Sequence, residues 1–343
     1  MFLPKLVIDG IDVNEFKSFN LNFPGSNQLN NLKINLTNPD FDNASLFGKQ
    51  VELYLNAGSI DSVPIFRGVV KTLSPTDKGV GLSCLDVRTF ISGKDARKVN
   101  ITEKDNYDGY SIAQFLRTVI EDNINTDKIR IGLDMLRDTE DIVSITGYRG
   151  NETPLNIALS KLDEGIDETD MDNPLFYITD IEEGANHSNI IIKRQRYLSE
   201  VSSMNLTSAD GIITYTYKRR PIPSRVDIKS KKLVSTVQLN NHSDGPYASS
   251  ISKDFNDPEE ARKYAISHLK KSQQEIDEIT VQASKGYYSS LESIITINVD
   301  KPEIDGNHRL VSKTISYSSN KLSLSLGLNK RPIKVSEYIA KSN

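Results

Sequence analysis

A strictly alternating segment near the C-terminal end of the chain constrains the fold more than any other feature. Residues 321–328 read KLSLSLGL, with a leucine at every second position and mostly polar residues between. A period of two residues places one side of a β-strand on a hydrophobic core and the other side in a polar setting. The segment therefore predicts a half-buried strand whose leucines pack in the core of their own domain. These leucines are Leu322, Leu324, Leu326 and Leu328.

The residues before this strand predict a helix and three further strands. Asp257 is a favourable N-cap residue, and Pro258 follows at the first helical position, where its missing N–H costs nothing. A helix is therefore predicted over 257–274. The predicted strands that follow it lie at 279–283, 294–299 and 309–316.

The first 98 residues predict an all-β domain. Short runs of alternating apolar residues recur along this region, and Gly, Asn, Asp and Pro, which favour turns, separate them. Several short strands at such spacing are typical of a β-sandwich or a small barrel. The predicted strands lie at 6–8, 16–23, 32–36, 51–55, 66–73 and 80–85, and a turn is predicted at 38–40.

Residues 99–222 read as an inserted α+β region. Apolar residues recur at helical spacing after Ser111, and Thr153-Pro154 is a second helix start. The predicted helices therefore lie at 112–120 and 153–162, and the predicted strands at 175–179, 190–193 and 212–217.

Residues 223–330 predict a second β domain, which holds the helix at 257–274. Strands at 226–228 and 233–239 are predicted to pair as a hairpin, and 240–250 is predicted to be a polar loop. Residues 331–343 form a C-terminal tail. The predicted fold class is therefore mainly β, with two antiparallel β-barrel or β-sandwich domains flanking a mixed α/β middle region.

Composition argues against several classes of function. The 343 residues carry a net charge of −4, which gives no electrostatic footprint for binding nucleic acid or an anionic membrane. No apolar stretch approaches the roughly 20 residues of a membrane-spanning helix. The single cysteine, Cys84, cannot form an internal disulfide, which fits folding in a reducing cytoplasm. Alternation places Cys84 among apolar residues, so a buried, unreactive thiol is predicted.

The sequence shows no recognisable catalytic, metal or cofactor site. The four histidines are far apart, and none has a ligand partner at metal-binding spacing. The chain also lacks a nucleophile elbow and the glycine-rich loops that cradle phosphates. His308 is predicted to be exposed in a turn, and acidic pairs such as Glu182-Glu183 to lie on the solvated surface. The short basic runs, such as 218–220, are predicted to protect sheet edges or to lie in loops.

Several short motifs nevertheless resemble one protein family. The C-terminal region combines the helix start at 257–265 with GNHRLV at 306–311 and the leucine-alternating last strand. The N-terminal region contains FGKQVEL at 47–53, FRGVV at 66–70 and VGLSCLD at 80–86. This pattern resembles the tail hub (baseplate hub, or late control) proteins of tailed bacteriophages and of related contractile injection systems.

The resemblance implies two tail-tube-like β domains in each subunit and a trimer of subunits with pseudo-sixfold symmetry. Such a hub joins the hexameric tail tube to a central spike or fibre and lets DNA pass. The implied partners are further copies of the chain, the tail tube protein, the spike or fibre protein, other baseplate proteins and the tape measure protein, with DNA only in transit. The implied location is the tail tip of the virion, after assembly in the host cytoplasm. No enzyme activity and no cofactor are implied.

The resemblance places ring contacts on strands of the two tube-like domains. The candidate interface residues are Val51, Leu53, Leu55, Phe66, Val69, Leu233, Val237 and Leu239. Two other functions stay open: a β-sandwich module that binds a receptor or a carbohydrate, and a cell-wall hydrolase that uses an acidic pair. The chain has no tryptophan, the usual platform for stacking sugars, which weakens the hydrolase hypothesis.

Overall fold

The fold is mainly antiparallel β. The structure, a computed structural model, describes residues 4–13, 15–25, 28–37, 46–55, 63–77, 79–91, 114–115, 131–132, 153, 176–183, 188–195, 204–210, 214–219, 223–229, 234–238, 247–252, 258–259, 261–262, 265–266, 277–291 and 293–329. The strands, in chain order, are β1 (Lys5–Ile8), β2 (Ile11–Val13), β3 (Phe16–Phe23), β4 (Asn31–Leu36), β5 (Gln50–Tyr54), β6 (Phe66–Thr76), β7 (Gly79–Asp86), β8 (Ile131–Gly132), β9 (Phe176–Glu183), β10 (Ser188–Gln195), β11 (Met204–Thr207), β12 (Thr214–Arg219), β13 (Pro223–Lys229), β14 (Val234–Gln238), β15 (Tyr247–Ser252), β16 (Asp277–Ala283), β17 (Ile294–Asn298), β18 (Gly306–Ser318) and β19 (Lys321–Leu328). The described residues also form two short 3-10 helices, Val87–Phe90 and Ser208–Asp210.

One large sheet joins the two ends of the chain. Its strands follow the order β12-β16-β19-β18-β3-β4-β7-β6-β5-β1-β2, while β17 pairs with β18 and β11 pairs with β17. The central step is the antiparallel pairing of β18 with β3, which places Ile315 opposite Leu21 and Tyr317 opposite Phe19. The rings of Phe19 and Tyr317 stack with centroids 5.7 Å apart. The first and last β regions therefore share one continuous sheet.

The hydrophobic core lies on one side of this sheet. It draws on β3, β4 and β7 from the first part of the chain and on β16, β18 and β19 from the last part. Leu21, Leu32 and Leu326 are fully buried in it. Alternation produces this arrangement because every second side chain of a strand points to the same face. The burial that removes these apolar side chains from water is the main driving force for this packing.

The leucine-alternating strand is β19, with the predicted bounds 321–328. Leu324, Leu326 and Leu328 are buried, and Leu322 is half-buried against the same core. The prediction that they pack in their own chain is therefore confirmed.

Most other predicted strands are present, with small shifts at their ends. The strand at 16–23 is β3, and the runs at 279–283 and 309–316 lie within the longer β16 and β18. The described residues of the predicted helix at 257–274 are helical at 258–259, 261–262 and 265–266, and so are 114–115. The helix at 153–162 beyond Thr153, the turn at 38–40 and the tail at 331–343 lie outside the described residues. The domain boundaries stay predictions.

Two small sheets of three strands each are separate from the large sheet. β9 and β10 pair antiparallel, with β8 parallel to β10. The predicted hairpin is present as the antiparallel pair β13–β14. The prediction that 240–250 is a loop throughout is wrong at its end, because residues 247–252 form β15, parallel to β13. Its sequence, YASSIS, is mostly polar and lacks regular alternation. The strands β2, β8 and β11 were also not predicted, and each has four residues or fewer.

A polar sheet face and a buried charge cluster as the candidate functional site

The side of the large sheet away from the core is lined by small polar side chains across eight consecutive strands, from β12 to β6. The registers align these side chains in rows that run across the strands. One row follows the chain of directly paired residues Ser323, Ser316, Asn20, Lys33, Ser83 and Thr72. A second row follows Lys321, Ser318, Ser18, Asn35, Gly81 and Ser74. All of these positions are exposed or half-buried. We call this surface the polar face.

Side-chain hydrogen bonds connect neighbouring strands on the polar face. Asn20 Nδ2 donates to Ser316 Oγ at 2.8 Å, across the β3–β18 junction between the two ends of the chain. At the same junction Thr314 Oγ1 donates to Asn22 Oδ1 at 3.1 Å. These bonds add cross-strand pairs to the backbone ladder, so the polar face reinforces the junction of the two β regions.

The polar face carries few charges. Its two rows contain Lys33 and Lys321, and at the β12–β16 step Lys218 lies opposite Glu278. The remaining residues of the rows are Ser, Thr, Asn and Gly. Tight binding of nucleic-acid backbones depends on many Lys and Arg contacts to phosphates. The polar face is therefore hydrophilic but poorly suited to holding DNA.

A cluster of buried charges connects β6 to the β9–β10 pair. Arg67 in β6 is almost fully buried; its Nε lies 2.7 Å from Glu52 Oε1 and its Nη1 lies 3.3 Å from Glu183 Oε2. The backbone N–H of Arg67 also donates to Glu183 Oε1. Ser188 Oγ donates to Glu183 Oε2 at 2.6 Å, and Tyr54 Oη donates to Glu52 Oε2 at 2.6 Å. We call these residues the Arg67 cluster.

Burial dominates the ionisation of Glu183. Removal from water raises the pKa of this carboxyl to about 7, although the hydrogen bond from Ser188 and the charge of Arg67 act in the opposite direction. The prediction that Glu182-Glu183 is solvated surface is therefore wrong for Glu183. Neighbouring residues of a strand point to opposite faces, so an acidic pair in a strand can have one member inside.

A cavity of about 230 Å³ opens beside this cluster. Glu183 and Lys313 bring charged groups to its wall, and the exposed side chains of Val63 and Tyr288 contribute apolar surface. Lys313 Nζ donates to the carbonyl oxygens of Tyr287 and Ser289 at 2.8 and 2.9 Å. Its ammonium group also lies 4.4 Å from the ring centre of Phe23. Lys313 is therefore held in place by the chain's own backbone.

A second buried ion pair, between Asp86 and Arg88, joins the end of β7 to the segment that precedes β4. Asp86 caps the 3-10 helix by accepting from the backbone N–H of Arg88, whose guanidinium lies 2.7 Å from Asp86 Oδ2. Arg88 Nη2 also donates to the carbonyl oxygen of Gln28 at 2.6 Å. The aspartate of the VGLSCLD motif thus fixes the end of β7.

Five of the eight predicted interface residues do not lie on an exposed surface of the single chain. The side chains of these five are buried in the chain's own core, each with 2% exposure or less: Val51, Leu53, Leu55, Phe66 and Val69. Val237 is a residue of strand β14. Leu233 and Leu239 lie outside the described residues. The exposed large apolar side chains in the described part of the chain are instead Ile11, Phe47, Val63 and Tyr288.

His308 and Cys84 are both buried. The predicted exposure of His308 is therefore wrong. Its Nε2 donates to the carbonyl oxygen of Ile304 at 2.7 Å, and its Nδ1 accepts from Asn329 Nδ2 at 2.8 Å, so the ring bridges two turns. Cys84 is fully buried, as predicted, and burial raises the pKa of its thiol to about 12.

The described residues contain neither a candidate metal site nor a candidate membrane-spanning helix. In this part of the chain, no group of three or more His, Cys, Asp or Glu side chains is placed to hold a metal ion. Within the same residues, no helix is both long and apolar enough to cross a membrane.

Comparison with known proteins gives matches in structure alone. No protein-family model matches the sequence, and no curated protein matches it either. Among solved structures, the tail protein from Neisseria meningitidis MC58 has a TM-score of 0.64 at 12% identity, over 98% of each chain. The 43 kDa tail protein of prophage MuSo2 from Shewanella oneidensis gives the same values. The E. coli c3393 protein, a type VI secretion component similar to the T4 tail proteins gp27 and gp5, has a TM-score of 0.59 at 9% identity, over 96% of this chain and 77% of that one. The predicted resemblance is therefore confirmed at the level of structure: this chain has the fold of phage tail proteins.

Proposed function

We propose that this protein is a structural subunit of a phage tail or baseplate hub, and that three copies assemble into a ring. The polar face lines the channel of this ring. The ring joins the hexameric tail tube to a central spike or fibre and lets DNA pass between them. The protein acts by assembly and has no catalytic centre.

The observation that carries the proposal is the continuous polar face across both β regions of the chain. A sheet with a core on one side and a hydrophilic surface on the other has the construction of a barrel wall around water. Barrels of roughly 16–18 strands already leave an aqueous channel, and three copies of an eight-stranded wall exceed that size. Side-chain hydrogen bonds at the β3–β18 junction stiffen each wall where the two β regions meet.

The scarcity of charge on the polar face supports passage of DNA without retention. Each phosphate neutralised by a Lys or Arg strengthens binding, and Ser, Thr and Asn offer no such neutralisation. A channel lined by the rows through Asn20 and Asn35 would therefore solvate a moving duplex while holding it weakly.

The proposed partners follow from this placement. They are two further copies of the chain, the tail tube protein on one side and a spike or fibre protein on the other, with other baseplate proteins and the tape measure protein nearby. The similar structures support this setting, since they are two tail proteins and a secretion component that resembles tail proteins. The proposed location is the tail tip of the virion, after assembly in the host cytoplasm.

Light scattering coupled to size-exclusion chromatography tests the proposal directly. The purified full chain is expected to elute with the mass of three chains at micromolar concentration. A mass of one 38.4 kDa chain across the accessible concentration range would contradict it.

A further inference from the structure

The eight-stranded wall ends in two edges that match each other. β12 forms one end of the sheet and pairs only with β16 in the sheet order. At the other end, β6 pairs with β5 only through its first residues, up to Val69, whereas it pairs with β7 up to Thr76. Among the described residues, no strand lies against the outer edge of 72–75. Exposed sheet edges of this kind present backbone N–H and C=O groups that can pair with another chain.

At both edges, alternate side chains face the same two sides of the sheet: the core and the polar face. In β12, Tyr215 packs against the core while Thr214 and Thr216 are exposed on the polar face. In β6, Leu73 packs against the same core while Thr72 and Ser74 are exposed on the polar face. If the two edges pair in a register that keeps this alternation, the core side and the polar face both continue from one copy to the next.

The directions of the two edges also match. Every pair from β12 to β6 is antiparallel. Eight alternating strands leave the first and the last running in opposite directions. Rotation about an axis along the channel does not reverse a strand, so β12 of one copy meets β6 of the next in antiparallel orientation. A head-to-tail contact of this kind closes into a ring when the rotation divides a full turn.

From these three matches we infer that the ring closes by antiparallel pairing of β12 in one copy with residues 72–75 of β6 in the next. The inference rests on the proposed function, since it names the contact by which the proposed trimer forms. Pro75 has no N–H to donate, so it limits the length of the new ladder. The contact is therefore short.

Disulfide trapping tests the inference on the full chain. The only native cysteine, Cys84, is fully buried and does not interfere. Two double variants, Ser74→Cys with Thr214→Cys and Ser74→Cys with Thr216→Cys, cover the two registers in which both Thr72 and Ser74 lie opposite a polar-face residue of β12. Oxidation of at least one variant is expected to convert the single-chain band into bands of two and three chains on a non-reducing gel, and reduction should reverse this.

A matched control uses a serine on the same face but on an interior strand. Ser323 is exposed in β19, which has a partner on both sides, so Ser74→Cys with Ser323→Cys should give no such bands. A trimer by light scattering with no cross-linking in either edge variant would overturn the edge pairing and leave the proposed function intact. A single-chain mass for the unmodified protein would overturn both.

Discussion

Arg67 and Glu183 lie 116 residues apart in the sequence, yet the Arg67 Nη1 atom lies 3.3 Å from Glu183 Oε2. The contact joins β6, which contributes to the wall of the proposed channel, to β9 in the middle region of the chain. The side chain of Arg67 is 4% exposed and that of Glu183 is 11% exposed, so the pair is largely shielded from solvent. Removing Arg67 leaves Glu183 buried without its nearest positive charge, whereas removing Glu183 leaves Arg67 paired with Glu52.

Arg67→Met is expected to destabilise the protein by up to about 3–5 kcal/mol at alkaline pH, because the buried Glu183 must then either stay charged without its nearest positive charge or take up a proton. Chemical denaturation followed by circular dichroism measures the loss. The double variant Arg67→Met with Glu183→Gln should recover a large part of it.

A matched control is Arg225→Met, which breaks an ion pair with Asp227 in which the Arg225 side chain is 50% exposed. Exposed pairs contribute roughly 0–1 kcal/mol, so this variant should change stability little. Equal losses for Arg67→Met and Arg225→Met would show that the Arg67 cluster does not hold β9 against β6.

The pH dependence of stability should carry the signature of Glu183. Burial raises the pKa of this carboxyl from 4.5 to about 7, so the folded protein holds a proton that the unfolded chain releases. The contribution of Glu183 to the free energy of unfolding is therefore fully present below about pH 4.5. It is lost as the pH rises through about 7.

Glu183→Gln should remove this dependence while keeping a hydrogen-bonding side chain. The unfolding free energies of wild type and variant are measured from about pH 5 to about pH 8. As the pH rises over this range, the variant is expected to become more stable relative to the wild type. A difference that stays constant over the range would refute the role assigned to Glu183.

Leu326→Ala is expected to cost about 2–5 kcal/mol, because Leu326 is fully buried and the truncation leaves a cavity. Leu322→Ala, in the same strand but half-buried, should cost clearly less. Thermal and urea unfolding of the two variants compare them. A larger loss for Leu322 would indicate that this position is covered in the assembly.

Asn20→Arg is expected to make the ring retain duplex DNA, because Asn20 lies on the polar face and three copies would place three new cations in one channel. Fluorescence anisotropy at low ionic strength should detect the binding, and the affinity should fall steeply as salt is added. Asn298→Arg, at an exposed position of β17, adds the same charge outside the polar face and is the control. Equal effects of the two substitutions would argue against a channel lined by the polar face.

The sequence allowed accurate prediction where alternation is regular. β19 has the predicted bounds, and β3 does as well, because leucines or aromatic residues at every second position leave one possible inward face. β15 was missed because its serines carry no such pattern; it forms by pairing with β13, a contact made through the backbone.

The candidate site was harder to predict from the sequence, because it depends on contacts between residues that are far apart in the chain. The serines and asparagines of the polar face are visible as the polar half of each alternating strand. Their continuity depends on the β3–β18 register, which joins residues almost 300 positions apart, as in the bond between Asn20 and Ser316. The burial of Glu183 and His308 likewise depends on partners that no local pattern specifies: Arg67 for the first, Ile304 and Asn329 for the second.

Negative-stain electron microscopy of the purified full chain tests most directly whether the polar face encloses a channel. We expect class averages of a ring with a central, stain-filled hole and threefold or pseudo-sixfold symmetry. Compact single-chain particles without a hole, at concentrations where the protein remains soluble, would contradict it.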